Sequence, residues 1–152
     1  MIQGVIVKEL KKISDDRGWL MEMLRKDWKE YKDFGQVYMT SCKPGVAKAW
    51  HYHKYQTDFF VCVNGVAKIV LFDAREDSPT KGEIMEIVAS VTQPRLVVIP
   101  EMVYHGFTAI GEEPCKIVNT VTQLYNYAEP DEHRVSYKSK DVPYDWKCEH
   151  GG

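Results

Sequence analysis

GVAKAWHYHKYQTDFFVCVNG, residues 45 to 65, is the stretch on which the fold turns. It ends with FFVCV, a short apolar run, followed by Asn64-Gly65 and then VAKIVLF. Both turn residues tolerate the positive φ of a type I′ turn, so two antiparallel strands joined by a tight hairpin are expected here. On the preceding strand His51 and His53 are two residues apart, which points their side chains to one face. Asp58 opens the next strand and enters toward the same interior. Three polar groups therefore converge inside what is otherwise an apolar layer.

Outward from this stretch the same grammar repeats. Short apolar or alternating runs at 4–11, 36–42, 47–53, 58–63, 67–72, 84–90, 95–99, 105–109 and 115–122 read as strands. Pro44-Gly45, the 77–82 stretch, Pro100 and the 111–114 stretch supply the turns between them. That spacing predicts an all-β jelly-roll barrel. Leu24, Trp28 and Tyr31 recur at helical spacing, so a short N-terminal helical segment is expected over 23–34. After Tyr125 the chain becomes polar and Pro-punctuated, which predicts a covering tail. At 152 residues the chain suits a single domain, 1–152, large enough for a core without disulfide or metal staples.

Twenty basic residues against 22 acidic ones leave a formal charge of -2, which argues against a nucleic acid or a membrane surface as the main partner. Cys42, Cys62, Cys115 and Cys148 are far apart and form no CxxC pair, so neither a zinc ribbon nor a thioredoxin-type site is expected. No run approaches the 18 or so apolar residues of a membrane span, and the N-terminus lacks the apolar core of an export signal. A reducing, cytoplasmic setting is the expectation.

Gly45, His51, His53, Asp58 and Gly65 follow the spacing of the first cupin motif, with Asp where Glu is usual. The run from Pro94 to His105 resembles the second motif, although Met102 and Ala109 replace its usual Gly and Asn. These resemblances imply a cupin-type barrel. They also leave open a metal-dependent cupin enzyme in which His51, His53, Asp58 and His105 hold a first-row ion.

A wider resemblance spans nearly the whole chain. DDRGWLMEML (15 to 24), GVAKAWHYH (45 to 53), KIVLFDAREDSPTKGE (68 to 83), VVIPEMVYHGF (97 to 107) and QLYNYAEPDEHRV (123 to 135) are similar to the dTDP-4-dehydrorhamnose 3,5-epimerase family. This resemblance implies a homodimer that epimerises a nucleotide-linked 4-keto-6-deoxy sugar without metal or other cofactor. It implies His51 as the base. It also implies Arg17, Glu22, Gln36, Lys48 and His105 as substrate contacts, with Lys48 replacing an Arg on the diphosphate, and Tyr125 in the pocket; His53 and Asn119 are further candidate substrate contacts. A hydrogen beside a ketone is acidic because its loss leaves an enolate, so such a site needs a base, a proton donor and an oxyanion stabiliser.

The departures are specific. The proton-donating Tyr of the family falls at Asn119, the enolate-stabilising Lys at about Phe59, and the Asp that orients the base lies in a segment without a counterpart here. Asp58 is a candidate to orient an imidazole in its place. Tyr38, Tyr52 and Tyr125 are candidates for the missing donor. A single epimerisation, a keto-sugar isomerisation and a non-catalytic sugar-nucleotide-binding role all remain open to this sequence.

Overall fold

The alternation of side chains builds two facing sheets, and the structure, a computed structural model, describes all residues from Met1 to Gly152. The strands are β1 (Ile6–Glu9), β2 (Lys12–Asp15), β3 (Gly18–Met21), β4 (Gln36–Cys42), β5 (Val46–Tyr52), β6 (Asp58–Asn64) and β7 (Val66–Asp73). They continue with β8 (Ile84–Ser90), β9 (Arg95–Ile99), β10 (Val103–Ala109), β11 (Cys115–Val121), β12 (His133–Arg134) and β13 (His150–Gly151). One sheet runs β1-β9-β6-β11-β4 and the other β12-β5-β10-β7-β8, with β13 added beside β5. This is the all-β jelly roll that the turn spacing predicts. The Asn64-Gly65 hairpin joins β6 to β7, and Gly65 takes a φ of 66°; a Cβ there would lie 2.6 Å from the Pro114 carbonyl.

Each sheet is apolar on both faces, which gives three buried layers. Between the sheets pack Phe60, Cys62, Ile69, Leu71, Val97, Ile99, Phe107 and Ile117. Outside the first sheet lie Phe59, Val61, Leu96 and Val98, covered by Met23, Leu24 and Trp28. Outside the second sheet lie Ala47, Ala49, Trp50, Val70 and Phe72, covered by Val142, Tyr144 and Trp146 of the tail. The tail is thus fastened as well as covering: β12 pairs antiparallel with the end of β5, and β13 pairs parallel with its start.

The helix expected over 23–34 does not form. Only two isolated turns occur, closed by Trp28 N–H to Arg25 O and Tyr31 N–H to Trp28 O. A helix this short is marginal in water. Here Leu24 and Trp28 gain more by lying flat on the outer face of the sheet, and Arg25 clamps Asp27 and Glu22 across the turn. The β2–β3 hairpin was not legible as two strands, because its side chains are mostly exposed and carry no alternation toward a core. No helix is long and apolar enough to cross a membrane.

Candidate active site

The cavity, about 600 Å³, opens between the sheets at the end where β5 stops and β6 begins. Lys48, His51 and His53 all line it, although Lys48 and His51 are three residues apart and strict alternation would set them on opposite faces. A bulge resolves this. His105 pairs with His51 but Phe107 pairs with Lys48, so β5 spends one extra residue, and Ala49 and Trp50 both turn to the outer layer. Gly106 sits opposite the bulge, where a Cβ would lie 2.4 Å from the Ala49 Cβ and 2.7 Å from the Lys48 carbonyl oxygen. The glycine of HGF thus permits the close approach that aims Lys48 and His51 into one space.

Asp58, at the first position of β6, crosses from the other sheet to meet the imidazoles. Its Oδ2 lies 3.2 Å from His53 Nε2 and 3.2 Å from His105 Nε2. Its Oδ1 accepts from Gln56 Nε2 at 2.8 Å and Asn119 Nδ2 at 3.2 Å. Burial alone would raise the acid's pKa, but the two imidazoles outweigh it and hold the carboxyl well below the usual carboxylate range. For His53 burial favours the neutral ring, while Asp58 and the Asp131 carbonyl favour the cation and win, raising its pKa to about 9.

His51 behaves differently. Its Nε2 is buried with no hydrogen-bond partner, and burial, reinforced by positive charge at His105 and Arg134, pushes its pKa down to about 4. A neutral imidazole with an uncommitted nitrogen, on a residue in a cavity wall, is the form a proton-abstracting base requires. Asp58 does not touch this ring. The carboxylate instead contacts His53 and His105, so the imidazoles it reaches are not the one expected as the base.

The other expected residues separate into two groups. Gln36, Lys48, His105 and Tyr125 line the cavity, with Lys48 Nζ donating to Thr40 Oγ1 at 2.8 Å and Tyr125 N–H donating to Gln36 Oε1 at 3.0 Å. Asn119 lies beneath the cavity rather than in its wall, donating to Tyr38 Oη at 2.9 Å and accepting from Phe59 N–H at 3.1 Å. Arg17 and Glu22 are not brought to the cavity within one chain. Arg17 pairs with Asp15 at 2.5 Å at the hairpin tip, and Glu22 with Arg25 at 2.6 Å.

Phe59 faces the outer layer and Phe60 the cavity, so no ammonium could reach the site from position 59 in this register. Of the candidate donors, Tyr38 and Tyr125 reach the cavity. Tyr52 does not, being stacked between Tyr104 and His133 with ring centroids 4.7 and 4.9 Å away. Burial and the Asp58 charge raise the Tyr38 phenol to about 12, which keeps it protonated.

Asp131, Glu132 and Arg134 of the tail also line the cavity. The sequence reading placed them only in a covering segment. Their one signal was membership of the QLYNYAEPDEHRV block, since a polar run by itself reads as solvated surface. Pairing of Arg134 with His51 across β12 and β5 is what turns the run inward.

Comparison with known proteins agrees with this geometry. The family model described as dTDP-4-dehydrorhamnose 3,5-epimerase matches residues 1–151. The spore coat polysaccharide biosynthesis protein SpsL of Bacillus subtilis is 42% identical over 149 residues, covering 98% of this chain and 99% of that protein. The probable low-salt glycan biosynthesis epimerase Agl13 of Haloferax volcanii is 43% identical over 153 residues, covering 99% and 98%. The crystal structure of a dTDP sugar isomerase from Desulfovibrio desulfuricans superposes with a TM-score of 0.89 at 29% identity, covering 95% of this chain and 92% of that one. With an all-β barrel and matches that run from end to end, the chain belongs to the dTDP-4-dehydrorhamnose 3,5-epimerase family.

Proposed function

We propose that this protein epimerises or keto-isomerises a nucleotide-linked 4-keto-6-deoxy sugar, such as dTDP-4-dehydro-6-deoxyglucose. The observation that carries the reading is the buried, unpartnered Nε2 of His51 in the wall of a cavity lined by polar side chains. His51 removes the hydrogen from the carbon beside the ketone, and the electron pair moves onto the carbonyl oxygen as an enolate. Return of a proton to the opposite face of that carbon gives the epimer, with Tyr125 as the donor. Return to the other carbon of the enediol gives the keto isomer.

Lys48 and Arg134 place positive charge at the cavity wall for the diphosphate, and Gln36, His53 and His105 line the sugar end. The names of the SpsL and Agl13 relatives support a role in polysaccharide or glycan biosynthesis, and the reading sets that role in the cytoplasm. A homodimer fits the exposed apolar side chains of Trp19 and Leu20 on the β2–β3 hairpin and of Val37 and Met39 on the edge strand β4. It would also give Arg17 and Glu22 a cavity to reach, that of the second copy.

Exchange in deuterated water tests the chemistry. The wild-type protein should incorporate deuterium at C3, C5 or both of a dTDP-4-keto-6-deoxy sugar, and His51→Asn should slow this by about 100-fold or more. Absence of incorporation by wild-type protein across several nucleotide sugars would refute catalysis and leave a binding role.

A further inference from the structure

We infer that Tyr38 is a further catalytic residue of this site, donating its phenol O–H to the carbonyl oxygen of the substrate as that oxygen becomes an enolate. This rests on the keto-sugar reading above, whose chemistry needs a hydrogen-bond donor aimed at the developing negative charge.

Asn119 fixes what the phenol can do. It is buried and lies directly opposite Tyr38 where β11 pairs with β4. Its Oδ1 accepts from the Phe59 backbone N–H at 3.1 Å, a group that can only donate, and its Nδ2 stands 3.2 Å from Asp58 Oδ1, an atom that only accepts. Both neighbours therefore demand the same orientation of the amide. One Nδ2 proton goes to Asp58 and the other to Tyr38 Oη, 2.9 Å away, which makes the phenol oxygen an acceptor in that bond. A phenol that accepts still has its own proton to give, and Tyr38 makes no other hydrogen bond within the protein.

That hydroxyl belongs to the cavity. Gln36, Tyr38 and Thr40 alternate along β4 and all line it, while Val37 and Met39 between them are exposed on the other face. β4 and β5 lie in different sheets, so Tyr38 and His51 meet a bound sugar from opposing walls. With burial and the Asp58 charge holding the phenol near a pKa of about 12, its O–H is intact wherever His51 is a neutral base.

The cationic donors of the wall are engaged. His53 and His105 each set Nε2 against Asp58 and Nδ1 against a backbone carbonyl. Lys48 and Arg134 lie against Thr40 and Glu132 and carry the charge assigned to the diphosphate. When His51 takes the carbon-bound proton, the C–H electron pair becomes the new carbon–carbon π bond and the carbonyl π pair moves onto oxygen. The Tyr38 hydrogen bond to that oxygen strengthens without transfer of its proton, and it relaxes when carbon is reprotonated. Since the charge is absent from the ground state, the phenol acts on the rate more than on binding.

Tyr38→Phe keeps the ring and removes only the hydroxyl, so the variant should melt within about 4 °C of wild type. Deuterium incorporation beside the ketone of dTDP-4-dehydro-6-deoxyglucose, followed at saturating substrate, should slow by about 100-fold, with KM changed by less than about 3-fold. Tyr52→Phe, whose ring is stacked outside the cavity, should exchange as wild type does. Exchange by Tyr38→Phe at the wild-type rate overturns the inference, whether inversion is kept or lost, because exchange needs the enolate and not the proton donor of the opposite face. A raised KM with an unchanged saturated rate overturns it too, since that marks a binding contact alone. If wild-type protein exchanges nothing, the keto-sugar reading falls and this role with it; wild-type exchange that survives the substitution removes this role alone.

Discussion

Replacing Gly106 by Ala tests the bulge that aims the site. The added methyl would lie 2.4 Å from the Ala49 Cβ, 2.7 Å from the Lys48 carbonyl oxygen and 2.9 Å from Trp146 Cζ2. Carbon atoms rest at about 3.5–4.0 Å, so β5 and β10 must separate locally by roughly 1 Å. Two of the three obstacles are on or next to main chain, which has no rotamer to escape into, and this places the cost near the upper end of overpacking, about 3 kcal/mol. For a domain of this size that lowers the melting temperature by roughly 6–12 °C. The same displacement moves His51 relative to His105 and Lys48, and a misplacement of about 1 Å at a reacting group costs on the order of 100-fold in rate. Thermal melts and deuterium exchange measure the two effects on one sample. Gly82→Ala is the control: its φ of 83° strains an alanine, but open space surrounds it, so stability falls modestly and exchange is unchanged. A Gly106→Ala protein that melts within about 2 °C of wild type and exchanges at the full rate would refute the bulge argument.

Two further outcomes follow from other parts of the molecule. Asp73 is fully buried, and the bonds it accepts from Arg75, Ser78 and Thr80 outweigh the effect of burial and hold its carboxyl well below the usual range. A depressed folded-state pKa stabilises at pH above the unfolded value, near 4, and the contribution is lost as pH falls below it. The melting temperature should therefore drop below about pH 4, and Asp73→Asn should lose part of that slope while costing about 3 kcal/mol at neutral pH; an unchanged acid limb would contradict this. For the hairpin face, light scattering should find wild-type protein at twice 17.6 kDa and Trp19→Glu shifted toward monomer, and a wild-type monomer at micromolar concentration would remove the dimer reading.

Asp73 also shows where composition misleads. Mixed charge of the kind found over 73–86 is by pattern the mark of a solvated turn, yet Asp73 anchors that turn, because one buried acceptor can organise several donors that sequence spacing alone does not connect. The 23–34 segment misled in the opposite direction. Its helical spacing was real, but the flat apolar face of β6 and β9 offered Leu24 and Trp28 a better surface than a free-standing helix could.

What the sequence determined by itself was local. Alternation, Asn64-Gly65 and the proline and glycine breaks sufficed for the strands, since a two-residue period and a turn's φ requirements are properties of adjacent residues. The same local rule put His51 and His53 in the interior. Tertiary structure alone decided which groups meet. Asp58 turned to His53 and His105 instead of His51, Phe59 faced away from the cavity, and Arg134 arrived from 83 positions further along the chain than His51. These outcomes depend on register between strands distant in sequence and on one bulge opposite Gly106. A one-residue shift in either would exchange the two faces of a strand, and no pattern along a single strand encodes its partner's register.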